Sequence, residues 1–379
     1  MRIALLSVGS PLSRNTWNGI PFHIHRELAR RYADVHAVET PLFDRFDRVL
    51  HRITRFSRNQ WFASRAPALT GFAAILVGLS LERIKPDLVV CINASHKAAM
   101  LKRRWPMVLV EDAAFDTIVD YYDRFSGLAP KSRAFGHAVE QTMIDRCRFV
   151  LLASAWARDD ALRRYRGPAE RFIAAPMGAN LDDDPGPLLP RPAGGELKLL
   201  FVGYEWERKG GPLALQAFVE LRKRLANVSF HLVGCSPAEA ESVEGVVMHG
   251  RLRKSAPGEF RRLQELYRSS SFFFMPTRQE AYGIVYCEAC AFGLPVVATD
   301  TGGVGEIIRN GENGVLLPLG ASALDYADLI ERIWADPRLH RSMQEKARRA
   351  YVERLSWRRW GEILDMALFP PEALRTGTG

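Results

Sequence analysis

PTRQEAYGIVYCEACAFGLPVVATDTGGVGEIIRNGENGVLLPL, residues 276–319, decides how the chain is read. The apolar run SFFFM just before it is too short for a helix and is bounded by polar residues, which predicts a buried strand. That strand opens into a polar loop carrying Glu280. Tyr282 and Gly283 then start a helix that holds Ile284, Val285 and Glu288 and stops near Gly293. Two more short apolar runs follow, Pro295–Thr299 and Gly314–Leu317. Strands apolar on both faces and separated by helical stretches predict a parallel sheet covered on both sides.

Working outward, the same alternation occurs twice. Upstream in the second half it gives strands at Leu197–Val202, Val228–Val233, Val246–His249 and Phe272–Met275. In the first half it gives Ile3–Val8, Asp87–Ile92, Met107–Val110, Phe149–Ala153 and Phe172–Ala175. Between the two series, residues 181–196 crowd Pro, Gly and acid together without any period, as a linker does. The expectation is an α/β chain of two doubly wound, Rossmann-like domains, 1–180 and 197–356. Ligands in such sheets lie beyond the carboxyl ends of the strands, and tandem domains form a cleft where those ends face one another. No G-x-G-x-x-G follows Ile3–Val8 or Leu197–Val202, which argues against a nicotinamide or flavin site.

The length of 379 residues suits two domains at ~150 residues each. The formal net charge is +9, which permits nucleic acid, anionic lipid or phosphorylated small molecules as partners. Five cysteines, an odd number at low density, argue against a disulfide framework. Cys287 and Cys290 have no second ligand pair at zinc spacing and are read as helix packing. The N-terminal apolar run is too short for a signal peptide. The apolar stretch from Ala66 to Leu79 carries Pro67 and two glycines and falls short of the ~20 residues that span a bilayer. A cytoplasmic protein is expected.

Five residues separate Gly283 from Glu288, which on a helix is roughly 7–8 Å along the axis. The free amides of the opening turn and the helix dipole make an anion site suited to a diphosphate. Glu280 could then accept hydroxyl hydrogens on one side and Glu288 the two hydroxyls of a ribose on the other, the layout of a nucleotide sugar. The alternative is that Glu280 is an N-cap neighbour and Glu288 an exposed helical acid, since acids are mostly exposed. A second cluster, FVGYEWERKGGP at 201–212, runs from a strand into a loop with adjacent Arg208 and Lys209. Two cations there would neutralise a leaving diphosphate, a task otherwise given to a metal ion, so no metal is expected. The alternative is a solvated pair at a turn.

These two segments, in this order and spacing, resemble glycosyltransferase family four, the retaining nucleotide-sugar transferases of GT-B fold. The Glu280-x7-Glu288 pair is that family's motif. AFGLPVVATDTGGVGEII is similar to the stretch that closes its donor pocket, and VGYEWERKGG to its phosphate loop. The resemblance is strong from Leu197 to Leu319 and weaker before Ala153. It implies that Glu280 holds donor-sugar hydroxyls, Glu288 the ribose, and Lys209 the diphosphate. Tyr204 stands where the family has a further phosphate-binding arginine, and Arg208 is the expected substitute. Arg251 lies in HGRL, where the family's backbone reads the nucleobase, and Tyr282, Gly283, Ile284 and Val285 line the donor site.

In the first domain the family has a glycine pair after its first strand; Trp17, Asn18 and Gly19 take that place here. Gly19 is the expected donor contact, and Trp17, Asn18 and His96 are the expected acceptor contacts. The family's histidine near the anomeric carbon corresponds to Asp112, in VLVEDAAFD, which could orient the acceptor hydroxyl or stabilise charge on the sugar ring. Its alternative is a strand-end cap. The implied activity is retaining, metal-independent transfer from a nucleoside-diphosphate sugar to a carbohydrate or lipid-linked hydroxyl, in cell-surface polysaccharide or glycolipid assembly. The competing readings are a nucleotide-sugar epimerase or hydrolase and an inactive nucleotide-binding relative. As in the family, the helix expected from Trp357, within 357–379, should pack back on the first domain.

Two further features remain. Asp182, Asp183 and Asp184 imitate an acidic metal clamp but sit in the linker, so they are assigned to solvent. Leu42 to Arg65 holds six Arg and two Asp, with Leu42, Phe46, Val49, Leu50 and Ile53 at helical spacing. Such a segment can lie on an anionic membrane or pack on its own domain with a solvated basic face. A nucleic-acid partner is not expected, because no motif of that kind is present.

Overall fold

The computed structural model describes residues 1–54, 61–188 and 195–370, the side chains of 51–54 excepted. The chain divides into two compact units, Met1–Pro176 with the segment from Trp360 onward, and Met177–Arg359.

The first unit holds a six-stranded sheet of β1 (Arg2–Ser7), β2 (Asp34–Val38), β3 (Leu88–Ile92), β4 (Met107–Glu111), β5 (Phe149–Leu152) and β6 (Phe172–Ala174). All pairings are parallel, in the order β2-β1-β3-β4-β5-β6. β3 and β4 are buried along their whole length, as near-continuous Val/Ile/Leu runs require in a sheet covered on both faces. β2 has no counterpart among the expected strands. Its sequence, DVHAV, carries two polar residues and lies at the sheet edge, where half of it meets solvent. It is registered on β1 with Arg2 opposite Asp34, and Arg2 Nε donates to Asp34 Oδ2 at 2.7 Å.

The second unit holds β7 (Leu197–Val202), β8 (Val228–Val233), β9 (Val246–Met248), β10 (Phe272–Met275), β11 (Val296–Thr299) and β12 (Gly314–Leu317). Its order, β12-β11-β10-β7-β8-β9, again all parallel, is that of the Rossmann sheet. The strand order reverses between β7 and β10, so the loops leaving those strands open a crevice at the carboxyl edge. In the first sheet the reversal falls between β1 and β3. The second core is a run of rings. Phe218 meets Phe230 at 5.5 Å, Phe230 meets Phe274 at 6.4 Å, and Phe274 meets Tyr326 at 5.5 Å. Each buried aromatic contributes about 1.5–3 kcal/mol.

The expected linker differs. Residues 181–188 belong to the second unit, and 189–194 lie outside the described residues. Asp184 is not merely solvated: it pairs with Arg348 and accepts from Gly186 N at 2.9 Å, while Arg268 donates to Pro185 O at 3.3 Å. Cys287 and Cys290 are buried helix-packing residues. Cys287 Sγ lies 3.4 Å from Tyr282 OH, and burial pushes the Cys290 thiol up to about 12.

The last helix, Trp357–Leu368, starts in the second unit, where Trp357 Nε1 donates to Asn180 Oδ1 at 3.1 Å. From Trp360 it belongs to the first. Arg31 there bridges Glu27 and Asp365, each at 2.6 Å. A Cβ at Gly361 would stand 2.2 Å from Arg31 Nε, so only glycine admits this bridge.

Candidate active site

At the switch point of the second sheet, the β7 loop folds into tight turns, with Lys209 N donating to Glu205 O at 2.9 Å and Gly211 N to Trp206 O at 2.8 Å. Gly210, at φ 74°, then starts the helix Gly211–Arg224. A Cβ on Gly210 would lie 1.9 Å from Pro276 O, so glycine is what lets the β7 and β10 loops touch. Arg208 stitches them together. Its carbonyl accepts from Arg278 N at 2.9 Å, and its guanidinium donates to Gln279 O at 2.7 Å and to Glu205 Oε2 at 2.9 Å. This is a positioning role, different from a solvated pair at a turn.

Lys209 Nζ pairs with the Glu280 carboxylate, and both side chains are nearly buried. Glu280 is itself held by its backbone, whose carbonyl accepts from Gly303 N at 3.0 Å. Three residues on, Gly283 caps the helix Ile284–Ala291 at φ 99°. A Cβ there would meet the Tyr286 ring at 2.5 Å. Val285 is half-buried while Tyr282, Gly283 and Ile284 are buried, so the opening turn meets solvent through Val285. Tyr282 points inward, its hydroxyl donating to Met177 O at 2.7 Å.

Glu288, one and a half turns further, is wholly buried rather than an exposed helical acid. Tyr267 OH donates to its Oε2 at 3.1 Å, and Lys254 pairs with its Oε1. Burial, and then the Glu288 carboxylate, push the Tyr267 phenol well above its ordinary range. Neither Lys254 nor Tyr267 was legible as a site residue, because each reaches Glu288 from elsewhere in the chain. Arg251 stands with its guanidinium 5.2 Å from the centre of the exposed Tyr204 ring. The loops after β7, β8 and β9 gather here: Gly234 N donates to Gly250 O at 2.8 Å, and a Cβ on Gly234 would sit 2.6 Å from Gly203 O.

In the first unit, the candidates share the carboxyl edge of the sheet. Trp17 (φ 42°), Asn18 (φ 56°) and Gly19 (φ 89°) form three consecutive left-handed residues at the entry to the helix Ile20–Arg31. For Trp17 and Asn18 that conformation costs of order 1–2 kcal/mol each. His96 lies in the turn Ser95–Ala98 after β3 and is buried beside the Phe43 ring at 5.9 Å. Burial, then Lys97 and Arg65, hold its imidazole well below the usual range, so it is neutral. Asp112, half-buried at the end of β4, accepts from Ala113 N at 2.9 Å, as a strand-end cap does.

Beneath Asp112 is a cluster the sequence did not announce. Glu111 is buried and accepts from Ser95 Oγ at 3.1 Å, and the adjoining Glu140 takes Arg65 Nη1 at 2.9 Å. Burial, then the adjoining Glu140 carboxylate, raise Glu111 well above the usual carboxylate range.

Residues 196–336 match the family model described as glycosyl transferases group 1. The match spans β7 to the end of the helix Ala323–Trp334 and takes in Arg208, Lys209, Glu280 and Glu288. The chain is 28% identical over 218 residues to a D-inositol 3-phosphate glycosyltransferase of Arthrobacter sp., covering 54% of this chain and 51% of that one. It thus spans about half the length of that relative. Among solved structures, sucrose-phosphate synthase from Thermosynechococcus elongatus superposes with a TM-score of 0.68 at 16% identity over the whole of both chains. Anabaena HepE in complex with UDP superposes with 0.64 at 17% identity, over 97% of this chain and 99% of that one. At such identities the likeness shows the fold: two Rossmann-like domains of GT-B type, as expected.

Proposed function

We propose that the protein is a retaining glycosyltransferase that moves a sugar from a nucleoside diphosphate onto an acceptor hydroxyl. The observation that carries this reading is the Lys209–Glu280 pair beside the opening turn of the helix Ile284–Ala291. Backbone amides and a cation converge there on the space a diphosphate would fill, with a carboxylate next to them for sugar hydroxyls. HepE is a GT-B-type structure that holds UDP, and the Arthrobacter relative is named for glycosyl transfer; both support the same reading.

Charge that develops on the departing diphosphate is met by Lys209 and the helix amides, so no metal ion is assigned to that step. Arg208 acts on it through the loop it holds rather than by contact. Glu288, neutralised by Lys254 and fixed by Tyr267, has lone pairs left for a ribose diol. Asp112, with Glu111 behind it, is assigned to the acceptor side, together with Trp17 and Asn18, while Gly19 is assigned to the donor. His96, being buried and neutral, supports the loop. The acceptor is assigned to a cell-surface glycan or glycolipid built in the cytoplasm.

The test is incubation with UDP-, GDP-, ADP- and TDP-sugars, following nucleotide release with and without acceptor and chelator, and the anomeric configuration of the product by NMR. Transfer with retention, unaffected by chelator, is expected. Product without acceptor would indicate an epimerase or hydrolase instead, and nucleotide binding without turnover an inactive relative.

A further inference from the structure

The helix Pro67–Ile84 is long and apolar enough to cross a membrane by length and composition, yet only 28% of it is buried. One face, Thr70, Ala73, Ala74, Val77 and Leu81, packs on the first unit. The opposite face is Pro67, Ala68, Phe72, Ile75 and Leu79, all exposed, with no charged residue before Glu82. Ile75 and Leu79 are 60% and 57% exposed. A surface helix of a water-facing domain normally presents polar residues on that side, and an apolar outer face marks an interaction surface.

The patch continues onto the helix Pro41–Thr54, which meets the first helix through the Phe43–Phe72 rings at 6.5 Å. There Leu42, Phe46 and Val49 are exposed at helical spacing, and among the described residues of that helix only Phe43 is buried. Within the segment 42–65, Phe43, Phe62 and Arg65 pack on the first unit, and the side chain of Ile53 lies outside the described residues. Packing is done by Phe43 and by Asp44, which takes Lys97 Nζ at 2.6 Å, while Leu42, Phe46 and Val49 face outward.

Cations flank both helices. Arg45 and Arg48 are exposed on Pro41–Thr54, and Lys102, Arg103 and Arg104 are exposed on the turn whose Met100 and Leu101 abut Gly71 and Gly78 of Pro67–Ile84. Of the nearby acids, Asp44 is engaged by Lys97 and Glu82 by Arg103 at 3.1 Å, and Asp47 is half-buried and itself engaged.

We infer that this face docks on an anionic lipid surface, with the exposed apolar side chains entering the headgroup boundary and the basic flanks meeting lipid phosphates. A second copy of the chain fits less well, because a two-fold contact would set the basic flanks against themselves. The helix lies on the bilayer rather than across it, since its other face is already packed on the domain. The inference does not depend on the transfer reaction.

The test is sedimentation of the full chain with phosphatidylcholine vesicles and with mixed phosphatidylcholine–phosphatidylglycerol vesicles, at low and high salt. Binding to the mixed vesicles, weakened by salt, is expected. Ile75→Asp with Leu79→Asp should reduce partitioning on the order of a hundredfold, whereas Leu319→Asp, an exposed apolar residue of the second unit, should leave it unchanged. Arg45→Glu with Arg48→Glu, both exposed side chains, should reduce binding to mixed vesicles alone and decides the matter if the first pair fails to fold. No vesicle binding by the parent chain, binding indifferent to both pairs, or self-association abolished by the first pair would each overturn the inference.

Discussion

Lys209 and Glu280 form an ion pair across the switch point of the second sheet, each side chain supplied by a different strand-to-helix loop and each nearly buried. The cation that would meet a diphosphate is thus already held by the acid that would meet the sugar. Lys209→Met leaves a nearly buried carboxylate unpaired as well as removing the cation. Turnover should fall about 10²–10³-fold, with a smaller change in KM. Glu280→Gln should lower turnover too. The double variant should unfold at higher urea than Lys209→Met alone, because the uncompensated charge has gone. Steady-state kinetics and urea titrations check both halves.

Glu288 has both carboxylate oxygens engaged, by Tyr267 and Lys254. Tyr267→Phe removes one donor and leaves the carboxylate free to rotate. Nucleoside diphosphate affinity should drop by about fivefold, the worth of roughly one hydrogen bond. Glu288→Ala should weaken it further, and calorimetric titration with the diphosphate orders the two. A Tyr267→Phe protein that binds as tightly as the parent would remove Glu288 from the ribose site.

How much of this was legible follows from where each signal sits. Buried parallel strands such as Leu88–Ile92 and Phe272–Met275 are uninterrupted apolar runs, and they were readable. β2 was not, because DVHAV buries only Val38, and that residue shares its face with the polar Asp34 and His36. Glu280 and Glu288 were readable because both lie within one strand–loop–helix unit. Lys254 and Tyr267 reach Glu288 from 34 and 21 residues upstream, and Glu140 lies on a different element from Glu111, so spacing carried no trace of them. Residues 181–188 looked like a linker from composition, but the anchors that tie them to the second unit, Arg268 and Arg348, are far along the chain.

Gly210 offers a test of the contact between the two loops. Alanine there must hold φ near 74° and place a Cβ against the Pro276 carbonyl, a backbone atom that cannot swing away. Gly210→Ala should destabilise the second unit by about 3 kcal/mol and depress turnover, since the loops carrying Lys209 and Glu280 must part. Gly320→Ala, where the added Cβ meets no atom within 4 Å, is the control and should be neutral. Equal melting temperatures for the two variants would show that the loop contact is dispensable.

Glu111 gives a pH prediction whose sign is fixed by its raised folded-state pKa. Unfolded, the carboxyl titrates near ~4.3. Folded, it holds its proton to a higher pH, so between the two values the native state binds more protons than the unfolded one. Its contribution is therefore fully present below the unfolded pKa and is lost as pH rises toward the folded one, at no more than ~1.4 kcal/mol per pH unit. Glu111→Gln keeps a neutral side chain of the same shape beside Glu140 and removes that titration. The variant should lose stability less steeply than the parent as pH is raised from the acid side, and should be the more stable of the two once the parent's carboxyl ionises. Urea midpoints measured across the pH range decide this. Parallel curves for parent and variant would mean that the fold does not raise Glu111, and the acid directly before Asp112 would then have to be treated as charged.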